Sequence, residues 1–202
     1  MLTKFSIDDA ETRFSFSYPD ILCLSTALQI YCDSRQLNYF ALRGGSVFYS
    51  LFFQSALILS DINYIILPST LSNRDFELTL PPCSYECIEP SDSEFRRIIS
   101  SADSVSSSSL YHSKPDRLEA ARSNRLRQIG YFSSGSTGKP KLIIITSHMA
   151  FNCFLKVCPL IASQHEPFLK QLCFHDPSFV ISLCYICIGC LLYTSDAADD
   201  TP

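Results

Sequence analysis

Residues 128–146 read QIGYFSSGSTGKPKLIIIT. Apolar side chains dominate both ends of this stretch, residues 128–132 and 142–146, and such short apolar runs are typical of β-strands. The segment between them, residues 133–140, combines glycine, proline, hydroxyl and lysine side chains, which indicates a loop. We therefore expect two adjacent strands joined by an exposed loop, followed up to residue 189 by a helix, a strand and a helix.

The loop is chemically suited to a polyphosphate. Gly135 and Gly138 allow the backbone to turn and its N–H groups to approach phosphate oxygens, and Lys139 and Lys141 supply positive charge. It is not a Walker A loop, because that pattern requires Ser or Thr where Pro140 stands. The residues therefore predict a phosphate-binding loop of a different type.

The string from Ser134 to Lys141 resembles the signature of the AMP-dependent synthetases, the adenylate-forming superfamily. This superfamily includes acyl-CoA and aryl-CoA synthetases, amino-acid adenylation domains and luciferases. The chain departs from the family pattern at Leu142, where glycine is usual, and at Ser147, where histidine is frequent. Looser similarity upstream and downstream extends the resemblance over about residues 15–189.

The resemblance implies a reaction in which a carboxylate attacks the α-phosphorus of ATP, giving an acyl-adenylate and pyrophosphate. It implies ATP and Mg2+ as cofactors, a carboxylic-acid or amino-acid substrate, and coenzyme A or a phosphopantetheine thiol as the acyl acceptor, with a carrier protein left open as a partner. Lys141 and Thr137 are implied as the catalytic residues. The implied ATP-binding residues are Ser133, Ser134, Gly135, Ser136, Thr137, Gly138, Lys139 and Lys141.

Residues 174–178, Phe-His-Asp-Pro-Ser, bear on the substrate class. The pair Phe174-His175 resembles acyl-CoA synthetases, whereas Asp176 and Ser178 resemble the Phe-Asp-x-Ser of amino-acid adenylation domains, whose aspartate pairs with the substrate ammonium. Alternatively, His175 and Asp176 cap a helix that follows them. All three alternatives stay open, and His175 and Asp176 are the candidate substrate-binding residues.

Helical and strand patterns alternate along the chain, which predicts an α/β fold with a mostly parallel, helix-covered sheet. The domain prediction is a partial AMP-binding N-terminal domain over residues 1–189. Seven serines among residues 100–109 predict a polar loop over residues 100–116. Helices are predicted at residues 18–37, 47–59, 73–80, 94–100, 147–157 and 179–189, and strands at residues 38–42, 64–67, 86–88 and 169–174.

The last residues, 190–202, resemble the translation of a sequencing adapter, and we expect them to be a non-native tail. The family's ribose-binding aspartate, its hinge and the lysine of its C-terminal domain have no counterpart in residues 1–189. We therefore expect a truncated ligase that is inactive as written. The alternatives are an amino-acid adenylation domain of a peptide-synthetase system and a non-functional gene remnant.

Composition excludes several other classes of protein. A net charge of -4 without a basic stripe argues against nucleic-acid binding. Apolar stretches at residues 47–59 and 179–193 are too short to span a membrane. The ten cysteines lie mostly in apolar runs and no signal peptide precedes them, which indicates reduced thiols in the cytoplasm. Cys184, Cys187 and Cys190 lack an evident fourth ligand, so no metal site is predicted.

Overall fold

The computed structural model describes residues 6–9, 14–72, 74–76, 83–106, 127–133, 140–150 and 152. Two short strands come first, and helices and strands then alternate. A further helix begins at residue 147, and residues 74–76 are helical. The elements are β1 (Ser6–Asp8), β2 (Ser15–Ser17), α1 (Tyr18–Arg35), β3 (Tyr39–Arg43), α2 (Val47–Ile58), β4 (Tyr64–Leu67), β5 (Tyr85–Ile88), α3 (Asp92–Ser106), β6 (Gln128–Ser133) and β7 (Lys141–Thr146).

The main sheet has five strands in the order β5-β3-β4-β6-β7. The first four strands of this order are mutually parallel, and β7 runs antiparallel to β6. The predicted α/β architecture with a mostly parallel sheet is confirmed. The β1–β2 hairpin forms a separate antiparallel sheet. It was not predicted, because two polar strands of three residues carry no clear period.

The strands alternate their side chains between the two faces of the sheet, as a pleated backbone requires. In β4, Tyr64 and Ile66 contribute to a large apolar cluster that includes the buried faces of α1, α2 and α3. Ile65 and Leu67 lie on the opposite face, in a smaller cluster that also contains Phe76. The three helices therefore cover one face of the sheet.

Helix α1 begins as its sequence predicts. Ser17 is its N-cap residue, and its backbone N–H donates to Asp20 Oδ2 at 2.8 Å. A carboxylate in the first turn also suits the positive end of the helix dipole. The helix ends at Gln36, whose φ of 54° is left-handed, and the chain then turns into β3.

The prediction of a serine-rich loop is wrong for residues 100–106, which form the end of helix α3. Residues 100–106 are helical, whereas a loop was expected over residues 100–116; residues 107–116 lie outside the described part. Phe95, Ile98, Ile99 and Ala102 recur at helical spacing and pack against the main apolar cluster. Burial of this stripe outweighs the weak helix propensity of serine, so tertiary packing decides this segment.

The predicted boundaries of the other elements agree closely with the structure where it describes them. In the structure, β6 ends one residue later than predicted, at Ser133, and β7 begins one residue earlier, at Lys141. The predicted strand at residues 169–174 and the predicted helix at residues 179–189 lie outside the described residues. Among the described helices, none is both long enough and apolar enough to cross a membrane.

Candidate phosphate-binding site

The predicted loop connects two neighbouring strands. β6 and β7 pair along their whole length, from Gln128 opposite Thr146 to Ser133 opposite Lys141. Residues 134–140 connect Ser133 to Lys141, the two residues of the last pair. The expectation of two adjacent strands around the loop is confirmed, and the loop residues 134–139 themselves lie outside the described part.

The hairpin delivers the loop to the carboxyl edge of the parallel sheet. Ser133 is the last residue of β6, which runs parallel to β4, β3 and β5. In open α/β sheets, ligands bind outside the carboxyl ends of the strands. The position of the loop therefore agrees with its predicted role in ligand binding.

Two residues of the predicted site are described, and they lie opposite each other. The side chain of Lys141 is exposed, and Ser133 Oγ lies 3.5 Å from the carbonyl oxygen of Lys141, at the limit of a hydrogen bond. Strand alternation puts both residues on the face of Tyr131, which is the helix-covered face. A cation and a hydroxyl therefore flank the base of the loop on one side of the sheet.

The remaining predicted site residues belong to residues 134–139 and 175–176. They lie outside the described part of the chain and keep their roles as predictions: Ser134, Gly135, Ser136, Thr137, Gly138, Lys139, His175 and Asp176.

The two departures from the family signature have structural explanations. Leu142 stands where the family usually has glycine, and it packs against the smaller apolar cluster beside Phe132. Ser147 is fully buried at the start of a helix, and its N–H donates to the carbonyl of Arg127 at 2.9 Å. His148 lies one position further, with Nε2 2.9 Å from Asn152 Nδ2. Leu142 therefore packs within the hairpin, and Ser147 is buried beside it at the start of the next helix.

Gly130, in the middle of β6, leaves room for side chains of the two neighbouring strands, β4 and β7. A Cβ atom at this position would lie 2.9 Å from Ile65 Cγ1 on β4 and 3.1 Å from Leu142 Cδ1 on β7. These separations are shorter than ordinary carbon contacts. A glycine inside a strand signals such a close approach, and the sequence therefore carried this information.

Two glycines form the turn at the carboxyl end of β3. Gly44 and Gly45 have φ values of 60° and 79°, a conformation that costs most other residues energy. A Cβ at Gly45 would lie 2.7 Å from the carbonyl oxygen of Pro90, so the turns after β3 and β5 touch here. Ser46 then caps α2 by accepting from the Tyr49 N–H at 3.2 Å.

The opposite, amino edge of the sheet is held by polar side chains that sequence reasoning missed. Asn63 accepts from the Gln128 N–H at 2.8 Å and donates to the Asn38 carbonyl at 3.2 Å. Ser84 N–H donates to Asn38 Oδ1 at 3.1 Å, and the Tyr39 hydroxyl donates to Gln128 Oε1. We call these five residues the amino-edge network. Isolated polar residues at strand starts give no sequence signal, because their partners are distant along the chain.

Charged groups beside the outer strand β5 also stabilise the fold. Arg97 pairs with Glu86 at 2.8 Å and with Glu94 at 2.6 Å, and the hydroxyl of Tyr31 donates to Glu86 at 2.7 Å. Burial and the bond to Glu86 raise the pKa of Tyr31. These groups join α1, β5 and α3 at the outer strand that lies at the opposite end of the sheet from β7.

The described residues contain no cluster of three histidine, cysteine or acidic side chains that could hold a metal ion. The pattern at Cys184, Cys187 and Cys190 lies outside the described part. A magnesium ion with ATP would in any case be bound largely by phosphate oxygens and water.

The structure is similar to solved adenylate-forming enzymes. VinN in complex with L-aspartate matches with a TM-score of 0.62 and 11% identity, over 94% of this chain and 56% of that one. The N-terminal subdomain of NpsA from Klebsiella oxytoca, in complex with 3-hydroxyanthranilyl-AMSN, matches with a TM-score of 0.62 and 18% identity, over 94% and 48%. The O-succinylbenzoate coenzyme A synthetase MenE from Bacillus subtilis, in complex with AMP, matches with a TM-score of 0.61 and 13% identity, over 95% and 51%.

These matches establish the fold. The chain has the fold of the N-terminal part of adenylate-forming enzymes, and the resemblance inferred from the loop is confirmed at that level. The chain spans about half the length of these structures. No protein-family model matches the sequence. No curated protein matches it either.

Proposed function

We propose that this chain is the N-terminal part of an adenylate-forming ligase that activates a carboxylic acid with Mg·ATP and releases pyrophosphate. One observation carries the proposal. A loop with the superfamily's signature leaves the β6–β7 hairpin at the carboxyl edge of the sheet, in a fold shared with adenylate-forming enzymes.

The described residues at the base of this loop suit a polyphosphate. Lys141 is exposed, which leaves its ammonium group available to phosphate oxygens, and Ser133 lies directly across the hairpin from it. In the proposed reaction, the loop neutralises charge on the β- and γ-phosphates while pyrophosphate departs. The loop glycines and hydroxyls, with Thr137 among them, are proposed as further donors to the phosphates, and Mg2+ would supply additional charge neutralisation there.

The substrate class is proposed only as a carboxylic acid. VinN was solved with L-aspartate and the NpsA N-terminal subdomain with 3-hydroxyanthranilyl-AMSN, so the ligands of these two structures differ in chemistry. Transfer of the acyl group to coenzyme A or a phosphopantetheine thiol, the contribution of His175 or Asp176 to acid binding, and a cytoplasmic location remain proposals that follow from the sequence.

The proposal is tested by measuring acid-dependent exchange of pyrophosphate with ATP. The assay needs a longer protein, in which the gene's own reading frame continues beyond residue 189 to about the length of the structures it resembles; we call it the extended protein. It is assayed with aliphatic acids, aryl acids and amino acids in parallel. We expect exchange that depends on one of these classes and on Mg2+. Exchange with amino acids alone would favour the adenylation-domain alternative.

A second measurement uses the 202-residue chain itself. We expect it to bind Mg·ATP in a calorimetric titration, because the phosphate loop and its supporting strands belong to this chain. A folded chain that does not bind Mg·ATP, together with an extended protein that exchanges no pyrophosphate with any acid, would contradict the proposed function and favour a non-functional remnant.

A further inference from the structure

Arg127 precedes β6 directly, and its side chain is almost completely buried, with 1% of its surface exposed. Its Nη1 donates to the carbonyls of Ile58 at 2.9 Å and Leu57 at 3.3 Å, and also to the carbonyl of Ser60. These carbonyls belong to the end of α2 and the turn that follows it. Arg127 therefore caps the C-terminus of a helix that is distant from it in sequence.

The end of α2 needs such a donor. The last four carbonyls of a helix have no partner within it. Those of Ala56 and Leu57 accept from N–H groups that follow α2, whereas the carbonyl of Ile58, a fully buried residue, accepts from Arg127. The last turn of α2 contains no basic residue of its own. A buried guanidinium is favoured at this place, since the C-terminal end of a helix carries partial negative charge.

The backbone of Arg127 holds a second element. Its carbonyl accepts from the N–H of Ser147, the buried residue that begins the helix after β7. The next residue, Gln128, donates its N–H to Asn63. Arg127 therefore joins the base of the β6–β7 hairpin to α2 and to the following helix, and its neighbour Gln128 joins the same base to the amino-edge network.

From these contacts we infer that Arg127 is a positioning residue for the phosphate loop, which acts by fixing the β6–β7 hairpin against the C-terminus of α2. The inference rests on the proposed function. The base of β6 and its loop end lie roughly 17 Å apart, at about 3.3 Å per residue, so Arg127 acts through the strand. The hairpin transmits the placement because β6 is paired on both sides, with β4 and β7.

Two variants of the 202-residue chain test this inference by their affinity for Mg·ATP. Arg127→Met removes the donors at similar length, and Arg127→Lys keeps the charge and some of the donors. We expect Arg127→Met to weaken binding by about tenfold or more, because small misplacements of binding groups are costly. Arg127→Lys should recover most of the affinity, and it carries the test if Arg127→Met does not fold.

Ile98→Ala is the matched control. Ile98 is fully buried in α3, which packs on α1 and lies away from the hairpin. This change should lower the melting temperature as Arg127→Met does, and leave Mg·ATP affinity at the parent value. Amide hydrogen exchange supplies a readout without ligand, since Arg127→Met should speed exchange in residues 128–133 and 141–147, and Ile98→Ala should not.

Each outcome decides the matter. Parent-like affinity in Arg127→Met, or an equal loss of affinity in Ile98→Ala, would overturn the positioning role and leave the proposed function standing. A parent chain that folds but does not bind Mg·ATP would overturn the inference, and the proposed function would then be decided by the pyrophosphate exchange of the longer protein.

Discussion

The two edges of the parallel sheet are built in different ways. At the amino edge, the side chains of the amino-edge network and Arg127 bond to backbone groups of neighbouring elements. At the carboxyl edge, the chain turns through Gly44 and Gly45. The exposed Lys141 lies at this edge too, as the first residue of β7 after the loop. The difference indicates that the amino edge holds the strands in place, whereas the carboxyl edge leaves backbone groups and positive charge exposed, as the proposed ligand site requires.

The comparison predicts that changes at the carboxyl edge affect activity more than stability. Lys141→Ala in the extended protein should lower acid-dependent pyrophosphate exchange about a hundredfold or more, since a lost contact to a developing anion costs roughly 2.7–4 kcal/mol. Its melting temperature should stay close to that of the parent, because the side chain of Lys141 is exposed. Carboxylic-acid affinity should change little, since the acid does not contact the β- and γ-phosphates.

Two alanine variants serve as controls for the loss of charge. Lys139→Ala changes the other lysine of the loop and should have a smaller effect, because the family signature tolerates many residues at that position. Arg96→Ala removes a positive charge from α3, remote from the loop, and should leave exchange unchanged. Parent-like exchange in Lys141→Ala would refute its assignment to the phosphates.

The middle of β6 connects the two edges, and Gly130→Ala should disturb it. The added methyl group would press on Ile65 and Leu142, and we expect a loss of about 1–3 kcal/mol in the free energy of unfolding. Urea denaturation of the chain measures this, with Ser133→Ala on the same strand as the control. An unchanged unfolding free energy would mean that the neighbouring strands adjust without cost.

At the amino edge, Asn63→Ala should affect stability more than ligand binding. It removes the acceptor of the Gln128 N–H and the donor to the Asn38 carbonyl, and each net hydrogen bond contributes roughly 0.5–1.5 kcal/mol. We expect a loss of about that size per bond in urea denaturation, with Mg·ATP affinity close to the parent value because Arg127 still holds the hairpin to the end of α2. A large loss of affinity at unchanged stability would reverse the proposed division between the edges.

A further effect concerns stability at alkaline pH, through a buried thiol of α1. Burial raises the pKa of the Cys32 thiol to about 12, with smaller contributions from Asp33 and Glu86. The unfolded thiol titrates near pH 8.5. Its contribution to stability is therefore complete below that pH and is lost as the pH rises towards about 12, with a slope of at most about 1.4 kcal/mol per pH unit.

Denaturation at pH 8 and pH 10, the latter within the window between roughly 8.5 and 12, measures this dependence. The parent should lose more stability between the two values than Cys32→Ala does. Cys23→Ala is the control, because Cys23 lies on the same helix and is exposed. The same decrease in parent and Cys32→Ala would assign the alkaline loss to other groups.

The exposed edge of the sheet gives one further comparison. Ile143 and Ile144 on β7 are 50% and 44% exposed, and β7 is the outermost described strand on its side. Exposed apolar edge strands promote association between chains. We expect Ile143→Lys to reduce light scattering of the 202-residue chain at a given concentration, and Ser133→Lys to have no comparable effect.

Much of this fold was predictable because its signals are local. The apolar runs at residues 64–67 and 142–146 predicted strands, and a helix was predicted from residue 18, where α1 begins. Local signals failed in two places. The short polar strands β1 and β2 lack a period, and the serine-rich end of α3 is helical because its apolar stripe packs on α1.

The sequence by itself determined the α/β class, the loop between two strands and the chemistry of that loop, since these depend on residue type and spacing over a few positions. Tertiary structure decided what lies far apart along the chain. It brought Asn63 beside Gln128 and Arg127 to the end of α2. Backbone groups in a buried interior must find partners wherever the fold brings them, and a linear pattern does not encode that requirement.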